Sequence, residues 1–251
     1  MSDEELKKYK FAEHFAELKK RLCIFLCSFT LLTIISYIYR EEIFAFLLSP
    51  LKNNPHFDGL IIFTDLTEAF FSYLSLSIYS GFILSMPVIS YQIYKFIAPG
   101  LYNKVKKIAK ILTIASPMLF YLGSCLLFYF VMPKAWDFFI SFDYASKDNI
   151  KLLAKINEYL SLVTKLMVAF GIAFQTPVIL VILSLFGVIS AENLRKKRRL
   201  AIIGVFVIAG LITPPDVLSQ IMLAIPMVLL YEFSIIIIEY LGNKNVGYKM
   251  D

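Results

Sequence analysis

Apolar runs of membrane-spanning length, separated by short basic segments, constrain this chain more than any other feature. Six of them, at 22–39, 70–97, 111–132, 160–187, 200–212 and 217–238, take up most of the 251 residues. A hydrocarbon core roughly 30 Å thick takes about 20 apolar residues of helix to cross, and four of the runs approach or exceed that length. Lipid offers backbone N–H and C=O groups no water to bond, so such runs must satisfy those groups internally, as helices. The sequence therefore predicts an all-α polytopic membrane protein: one integral membrane domain over 1–251, six transmembrane helices, the last two short.

Charge position matters more than charge total. The net charge of +6 would suit a nucleic-acid partner, yet Lys and Arg cluster at 7–21, 95–110 and 195–199, each beside the end of an apolar run. That is the pattern that keeps basic loops on the cytoplasmic side. With six spans and both termini inside, about 18 of the 25 basic residues fall inside. The opposite orientation would put the Arg195–Arg199 cluster outside. A long charged segment precedes the first run and no small-residue cleavage site follows it, so the run is expected to be retained. Cys23, Cys27 and Cys125 lie in or beside apolar runs and read as small hydrophobes, without disulfide or metal-ligand spacing.

Residues 1–21 read as an amphipathic cytoplasmic helix, with Phe11, Phe15, Leu18 and Leu22 recurring on one face. Residues 40–68 form an external segment in which Pro50, Pro55 and Gly59 break any long helix, and Thr64–Glu68 reads as the next helix start. Pro87 should kink the second run, bringing Tyr91, Gln92, Tyr94, Lys95 and Phe96 near the inner interface before Ala98-Pro99-Gly100 ends it. Residues 133–158 form a second external segment carrying Trp136, which reads as an interfacial residue. The run at 200–212 is too short for a full span, and Thr213-Pro214-Pro215-Asp216 returns the chain sharply, giving a short final hairpin.

Polar groups inside spans are costly and therefore candidates for function. Gln175 stands next to Pro177, which should free a backbone carbonyl nearby; its amide either bonds a neighbouring helix or serves a partner. Gln220 and Glu232 lie in the last run, Glu232 deep within it, and Lys165 can snorkel outward. Near the N-terminus, Glu13 and Glu17 share a helix face and repel by a few tenths of a kcal/mol unless a cation sits between them. Lys10 and Lys20 are local candidates for that cation. No phosphate loop, zinc-protease motif or nucleophile elbow is present, and His14 and His56 belong to no catalytic constellation. The chain is expected to be no enzyme and to need no cofactor or metal.

Six blocks in order carry a family resemblance: HFAELKKRL (14–22), SPL (49–51), PVISYQIYKFIAPGLY (87–102), AFGIAFQTPV (169–178), LRKKRR (194–199) and TPPDVLSQIMLAIPM (213–227). Together they resemble the TatC family, the receptor subunit of the twin-arginine protein translocase. The resemblance implies six helices in a concave, glove-like arrangement with both termini cytoplasmic. It also implies single-span partners of the TatA and TatB type, folded substrates bearing an N-terminal signal with paired arginines, and export driven by the proton-motive force. By the same resemblance Glu17 contacts the signal's arginines, with Lys19 where the family usually has arginine. Phe96, Pro99, Leu101 and Tyr102 belong to the signal-binding surface, and Pro50, Pro214, Pro215, Asp216 and Gln220 match further motif positions. A carboxylate suits that task, because it matches the planar donor fork of a guanidinium, which lysine lacks.

Two departures stand out. Val105 occupies the place of the family's second acidic arginine contact, amid Lys104, Lys106 and Lys107, so Glu13 is expected to help Glu17 hold the two guanidiniums. Gln175 stands where many relatives carry an intramembrane glutamate, keeping a polar handle without the charge. The competing reading is a secondary transporter of a small solute, which would call for more charged residues at mid-depth and broken helices in related halves. The lipid bilayer is a partner in either case. An absent transit peptide favours a bacterial inner membrane.

Overall fold

A computed structural model describes residues 3–52, 61–100, 103–137, 154–212 and 217–243, with side chains from Phe15 onward except at 61, 100, 103, 104, 154, 212, 218, 219 and 243. These residues are helical apart from short turns and one parallel bridge of two-residue strands, β1 (Ile61–Ile62) on β2 (Ala154–Lys155). Helix α1 (Asp3–Ile38) is unbroken, because no Gly or Pro interrupts the passage from the charged N-terminal stretch into the first apolar run. It packs chiefly on α3 (Glu68–Ile97). Gly81 permits the approach: a Cβ there would fall 2.8 Å from the Cα and N of Thr33. The other faces of α1 stay exposed, with Leu22, Leu26, Leu31 and Ile38 available to lipid.

Pro50 requires a correction. It does not turn the chain but sits in the last turn of α2 (Arg40–Lys52). Its missing N–H leaves the Phe46 carbonyl without its helical donor, and the Ser49 hydroxyl donates to that oxygen at 2.7 Å. Leu47, Leu48 and Leu51 of α2 are then free to bury in the core.

Helix α4 (Asn103–Leu126) runs on through a π turn at Leu127–Val131, and the apolar helix as a whole covers Val105–Asp137. It crosses α5 (Ile156–Ala173) at two glycines. The Phe120 ring lies where a Cβ on Gly171 would sit, and Gly123 lies against the Phe170 carbonyl. Ser124 also donates to the Met167 carbonyl at 3.0 Å. The fourth run breaks at Phe174–Gln175 and resumes as α6 (Thr176–Leu185). Pro177 leaves the Ala173 carbonyl free, as the sequence predicts, and the Thr176 hydroxyl donates to it at 2.6 Å. The device is that of Ser49 and Pro50 in α2.

Gly187 ends α6 at φ 73°, with Gly187 N–H donating to Ser184 and Val188 N–H to Leu183. This is the left-handed cap that glycine alone adopts without strain. Ser190 then caps α7 (Ala191–Lys196), accepting from the Asn193 N–H at 3.2 Å. Helices α8 (Arg198–Ile212) and α9 (Val217–Asn243) form the final hairpin. Principal contacts run α1 to α3, α3 to α4 and α5, α4 to α5 and α6, α6 to α9, and α9 to α7 and α8. The helices thus form a row in which α1 and α8 occupy opposite ends.

Among the described residues five helices are long and apolar enough to cross a membrane, within Phe15–Ile38, Glu68–Ile97, Val105–Asp137, Ile156–Leu185 and Gln220–Gly242. The sixth apolar helix, α8, has 15 residues and leans on α9, in keeping with the short run seen in the sequence. Two cores hold the row. One joins α2, the end of α4, α5 and the α8–α9 hairpin around Leu51, Leu127, Phe170 and Leu223. The other joins α4, α6, α7 and α9 around Val105, Val181, Leu194 and Ile235. Trp136 belongs to the first core and is nearly buried; it stacks on Tyr159 at 4.9 Å and 18° rather than standing as an interfacial anchor. The side of the row, at the helix termini, that carries Arg195–Arg199 is called the basic end below, and the opposite side the far end.

Candidate functional site

At the basic end the chain leaves an open groove between α1 and the last turns of α3. A cavity of about 590 Å³ is lined by Glu17, Lys20, Arg21, Tyr91, Gln92 and Lys95. Beside it lies a smaller cleft of about 160 Å³ whose walls are mostly apolar, including Leu18, Leu22, Phe25, Ile93 and Phe96. Arg21 and Gln92 line both. The helices dictate this arrangement: Glu17 and Arg21 are one turn apart on α1, and Gln92 and Phe96 one turn apart on α3.

Glu17 is held. Arg21 donates to its Oε1, in the favourable order of acid before base along a helix. That partner is neither Lys10 nor Lys20, the local cations expected from the sequence; the i,i+4 spacing of Glu17 and Arg21 was the signal to read. Lys95 leans over the Tyr91 ring at 5.1 Å. The cavity thus offers one carboxylate, already ion-paired, among three cations. The chemistry it can perform is recognition: a guanidinium entering it must share Glu17 with Arg21 or displace it.

Not every residue singled out in the sequence meets there. Lys19 is exposed and does not line the groove. Pro99 is exposed in a 3-10 turn, Ala98–Gly100, just after Phe96. Glu13 belongs to α1 one turn before Glu17, with its side chain outside the described set. Leu101, Tyr102, Pro214, Pro215 and Asp216 lie outside the described residues. Val105 is 4% exposed, in the core with Val181, Leu194 and Ile235.

Gln175 is engaged within the chain. Its Oε1 accepts from the Ser116 hydroxyl at 2.6 Å, and its Nε2 donates to the Ser116 carbonyl at 3.0 Å. Ser90 of α3 lies 3.0 Å from the Ser116 hydroxyl, so three helices meet through one amide. The three residues stand on the wall of a largely apolar cavity of about 210 Å³ between α3, α4 and α6. Ser90 and Ser116 gave no warning in the sequence, because an isolated serine in an apolar run has no periodicity to betray its partner.

Gln220 and Glu232 also find partners in the chain. Gln220 donates to the Phe206 carbonyl at 2.9 Å and rests against Gly210, closing the hairpin. Glu232, deep in its run by sequence, stands level with the first turn of α8, where Arg198 donates to it at 2.8 Å. Arg195 pairs with Glu239, seven residues further on and on the same face of α9. Two of the five residues of the RKKRR cluster, Arg195 and Arg198, therefore fasten α7 and α8 to α9. Among the described residues, no three of His, Cys, Asp or Glu gather as a metal site would require.

Comparison with known proteins agrees with the row of helices. The family model for TatC, the Sec-independent protein translocase protein, matches residues 13–226. The Sec-independent protein translocase protein TatC of Rickettsia prowazekii (strain Madrid E) is 46% identical over 253 residues, covering 98% of this chain and all of that protein. The protein of the same name from Escherichia coli (strain K12) is 35% identical over 232 residues, covering 92% of this chain and 89% of its own. A crystal structure of the twin-arginine translocase receptor TatC in DDM superposes with a TM-score of 0.77 at 36% identity, over 90% of this chain and 99% of that one. A solute transporter is not favoured. Matched over most of its length in sequence and in fold, this multi-pass membrane protein belongs to the TatC family and is a subunit of the twin-arginine protein translocase, a family of translocase components rather than enzymes.

Proposed function

We propose that the chain is the receptor and scaffold of that translocase, sitting in a bacterial inner membrane with both termini and the basic end in the cytoplasm. It binds the paired-arginine signals of folded proteins and works with single-span TatA- and TatB-type partners in export driven by the proton-motive force. The observation that carries this reading is the order of chemistry along the α1–α3 groove: the Glu17 carboxylate, then the apolar cleft that Phe96 lines. A signal presents the same order, arginines and then an apolar stretch. The basic clusters at 95–110 and 195–199 support an inside position for this end by the positive-inside rule.

Binding begins with exchange at Glu17. Arg21 orients the carboxylate, and the incoming guanidinium takes its other oxygen or replaces Arg21. Charge-assisted hydrogen bonds contribute about 1.5–3 kcal/mol each, net of desolvation. Glu13 supplies a second carboxylate one turn away, in place of the acid that Val105 replaces.

The test is crosslinking of the membrane-embedded protein to a peptide with paired arginines before an apolar stretch, beside a paired-lysine control. Crosslinks at Glu17 and Phe96 should depend on arginine, and Glu17→Gln should weaken binding by about 10- to 100-fold. Glu13→Gln should weaken it comparably; unchanged binding removes Glu13 from the site. Equal labelling by both peptides would end the receptor reading of this groove.

A further inference from the structure

The α1–α3 cavity carries more positive charge than its one carboxylate can answer. Glu17 is met by Arg21. The two other cations of the lining, Lys20 and Lys95, have no ion-pair partner among the described residues. Both are exposed, one on each wall of the same cavity of about 590 Å³. The Tyr91 ring holds the Lys95 ammonium at 5.1 Å from its centroid. Like charges that share one space repel unless an anion lies between them.

The cavity opens at the level of lipid headgroups, and its walls turn apolar below. Lys95 stands two residues before the end of α3, and the span within α1 begins at Phe15. Ile24 lines the cavity one turn beyond Lys20, and Leu31 follows seven residues on; they are 42% and 60% exposed. On α3, Leu84 lies seven residues before Tyr91 and is 47% exposed. Seven residues are close to two helical turns, so Leu31 and Leu84 stay on the faces that line the cavity above them. Unpaired cations at the membrane surface thus stand over exposed apolar side chains on the same seam.

We infer that this seam binds an anionic phospholipid. Its phosphate lies between Lys20 and Lys95, with the Tyr91 hydroxyl and the Gln92 amide as neutral donors, and its acyl chains run over Ile24, Leu31 and Leu84. Charge complementarity selects this occupant. A zwitterionic lipid brings a cation of its own to the lysines, and a soluble anion leaves the apolar side chains unmet. Lysine suits the task, since a compact ammonium on a flexible stem can meet a phosphate from many directions. The site shares its cavity with the proposed signal groove but does not rest on that reading. A lysine-dependent lipid preference, measured without peptide, can fail while Glu17-dependent peptide binding succeeds, and the reverse also holds.

The full-length protein should be reconstituted in phosphatidylcholine vesicles containing a trace of phosphatidylglycerol or phosphatidylcholine with a photoreactive acyl chain. Labelling of 24–31 on α1 and of Leu84 on α3 is then read by mass spectrometry. At low salt the phosphatidylglycerol probe should label these positions about tenfold more than the phosphatidylcholine probe. Lys20→Gln with Lys95→Gln should abolish that preference, and salt at about 500 mM should weaken it. Lys20→Arg with Lys95→Arg should keep it, which also shows that the paired variants fold. Lys107→Gln with Lys197→Gln removes the same charge from exposed positions outside the cavity and should leave the preference intact. Millimolar glycerol phosphate should not reduce the labelling. Absence of preference in the unmodified protein, or a preference that survives Lys20→Gln with Lys95→Gln, would overturn the proposal. An equal loss in the Lys107 and Lys197 variant would do so too, assigning the effect to diffuse surface charge. Competition by glycerol phosphate would overturn it as well, reducing the site to one for a free anion.

Discussion

The two ends of the helix row solve opposite problems with the same helices. At the far end, Trp136 stacks on Tyr159, and the Tyr159 hydroxyl donates to the Leu47 carbonyl at 2.6 Å, locking α2, α4 and α5 together. The Glu68 carboxylate adds to this, accepting from the Thr64 hydroxyl at 2.9 Å and from the Asn157 N–H at 3.3 Å. At the basic end, α1 and α3 stand apart around a cavity of about 590 Å³ whose groups are ionic and half-exposed. The contrast shows that packing fixes the scaffold at one end, while exchangeable ion pairs keep the other open to a ligand.

The sharpest way to break this contrast is to put an acid back at Val105. If the position belongs to the core, Val105→Glu buries a carboxylate among Val181, Leu194 and Ile235. An unpaired buried charge costs about 3–5 kcal/mol, so the unfolding midpoint in denaturant should fall steeply while arginine-peptide affinity gains nothing. A stable variant that binds the peptide more tightly would mean that residue 105 faces the groove.

Trp136→Ala comes next. Removing a buried aromatic costs about 3–5 kcal/mol, at the lower end where a neighbour can relax. Unfolding should become easier, yet peptide binding per folded molecule should stay as it was. A proportional loss of binding would show that the far end shapes the groove, and the two-ends picture would fail.

Gln175→Leu probes the middle. It strips Ser116 of the amide that accepts its hydroxyl and leaves the Ser116–Ser90 contact alone. The loss should be about 1–3 kcal/mol of stability, the penalty for buried polar groups left unmet. Gln175→Glu tests whether the niche accepts the residue that many relatives carry. Equal stability of all three proteins would mean that the amide contributes nothing to holding α3, α4 and α6.

Much of this was legible in the sequence, for reasons of length. Run lengths place the apolar spans, and Pro177 frees a carbonyl near Gln175 as expected, while the break of the fourth run there leaves no mark on its length. Pro50 misled because a proline late in a helix removes one bond, and Ser49 supplies it. Glu232 misled because depth is measured across the row, not along one run: the short α8 brings Arg198 level with it. In the groove, Glu17 and Phe96 were readable from their motif and Arg21 from its spacing. The Gly171–Phe120 seat and the Ser90–Ser116–Gln175 bridge join distant segments, and no local pattern encodes such a meeting.

The smallest effect separates the two ends most cleanly. Arg198 and Glu232 are half-exposed, with side-chain exposures of 47% and 38%, so their pair contributes at most about 1 kcal/mol and is screened by salt. Arg198→Gln should therefore barely move the unfolding midpoint. Local opening is another matter, since α7 and the start of α8 hang on α9 through this pair and through Arg195–Glu239. Raising the salt from about 20 mM to about 500 mM shortens the Debye length from roughly 20 Å to 4 Å, and amide exchange in 191–199 should quicken by several-fold. Exchange in 40–52, held by Leu47, Leu48, Leu51 and the Tyr159 bond, should not respond. Arg198→Gln should reproduce part of that acceleration at low salt and remove part of the salt response. If both segments loosen together, the ends are not built on different forces; if neither does, the packing of Leu194 and the bond from the Tyr231 hydroxyl to its carbonyl already suffice to hold α7.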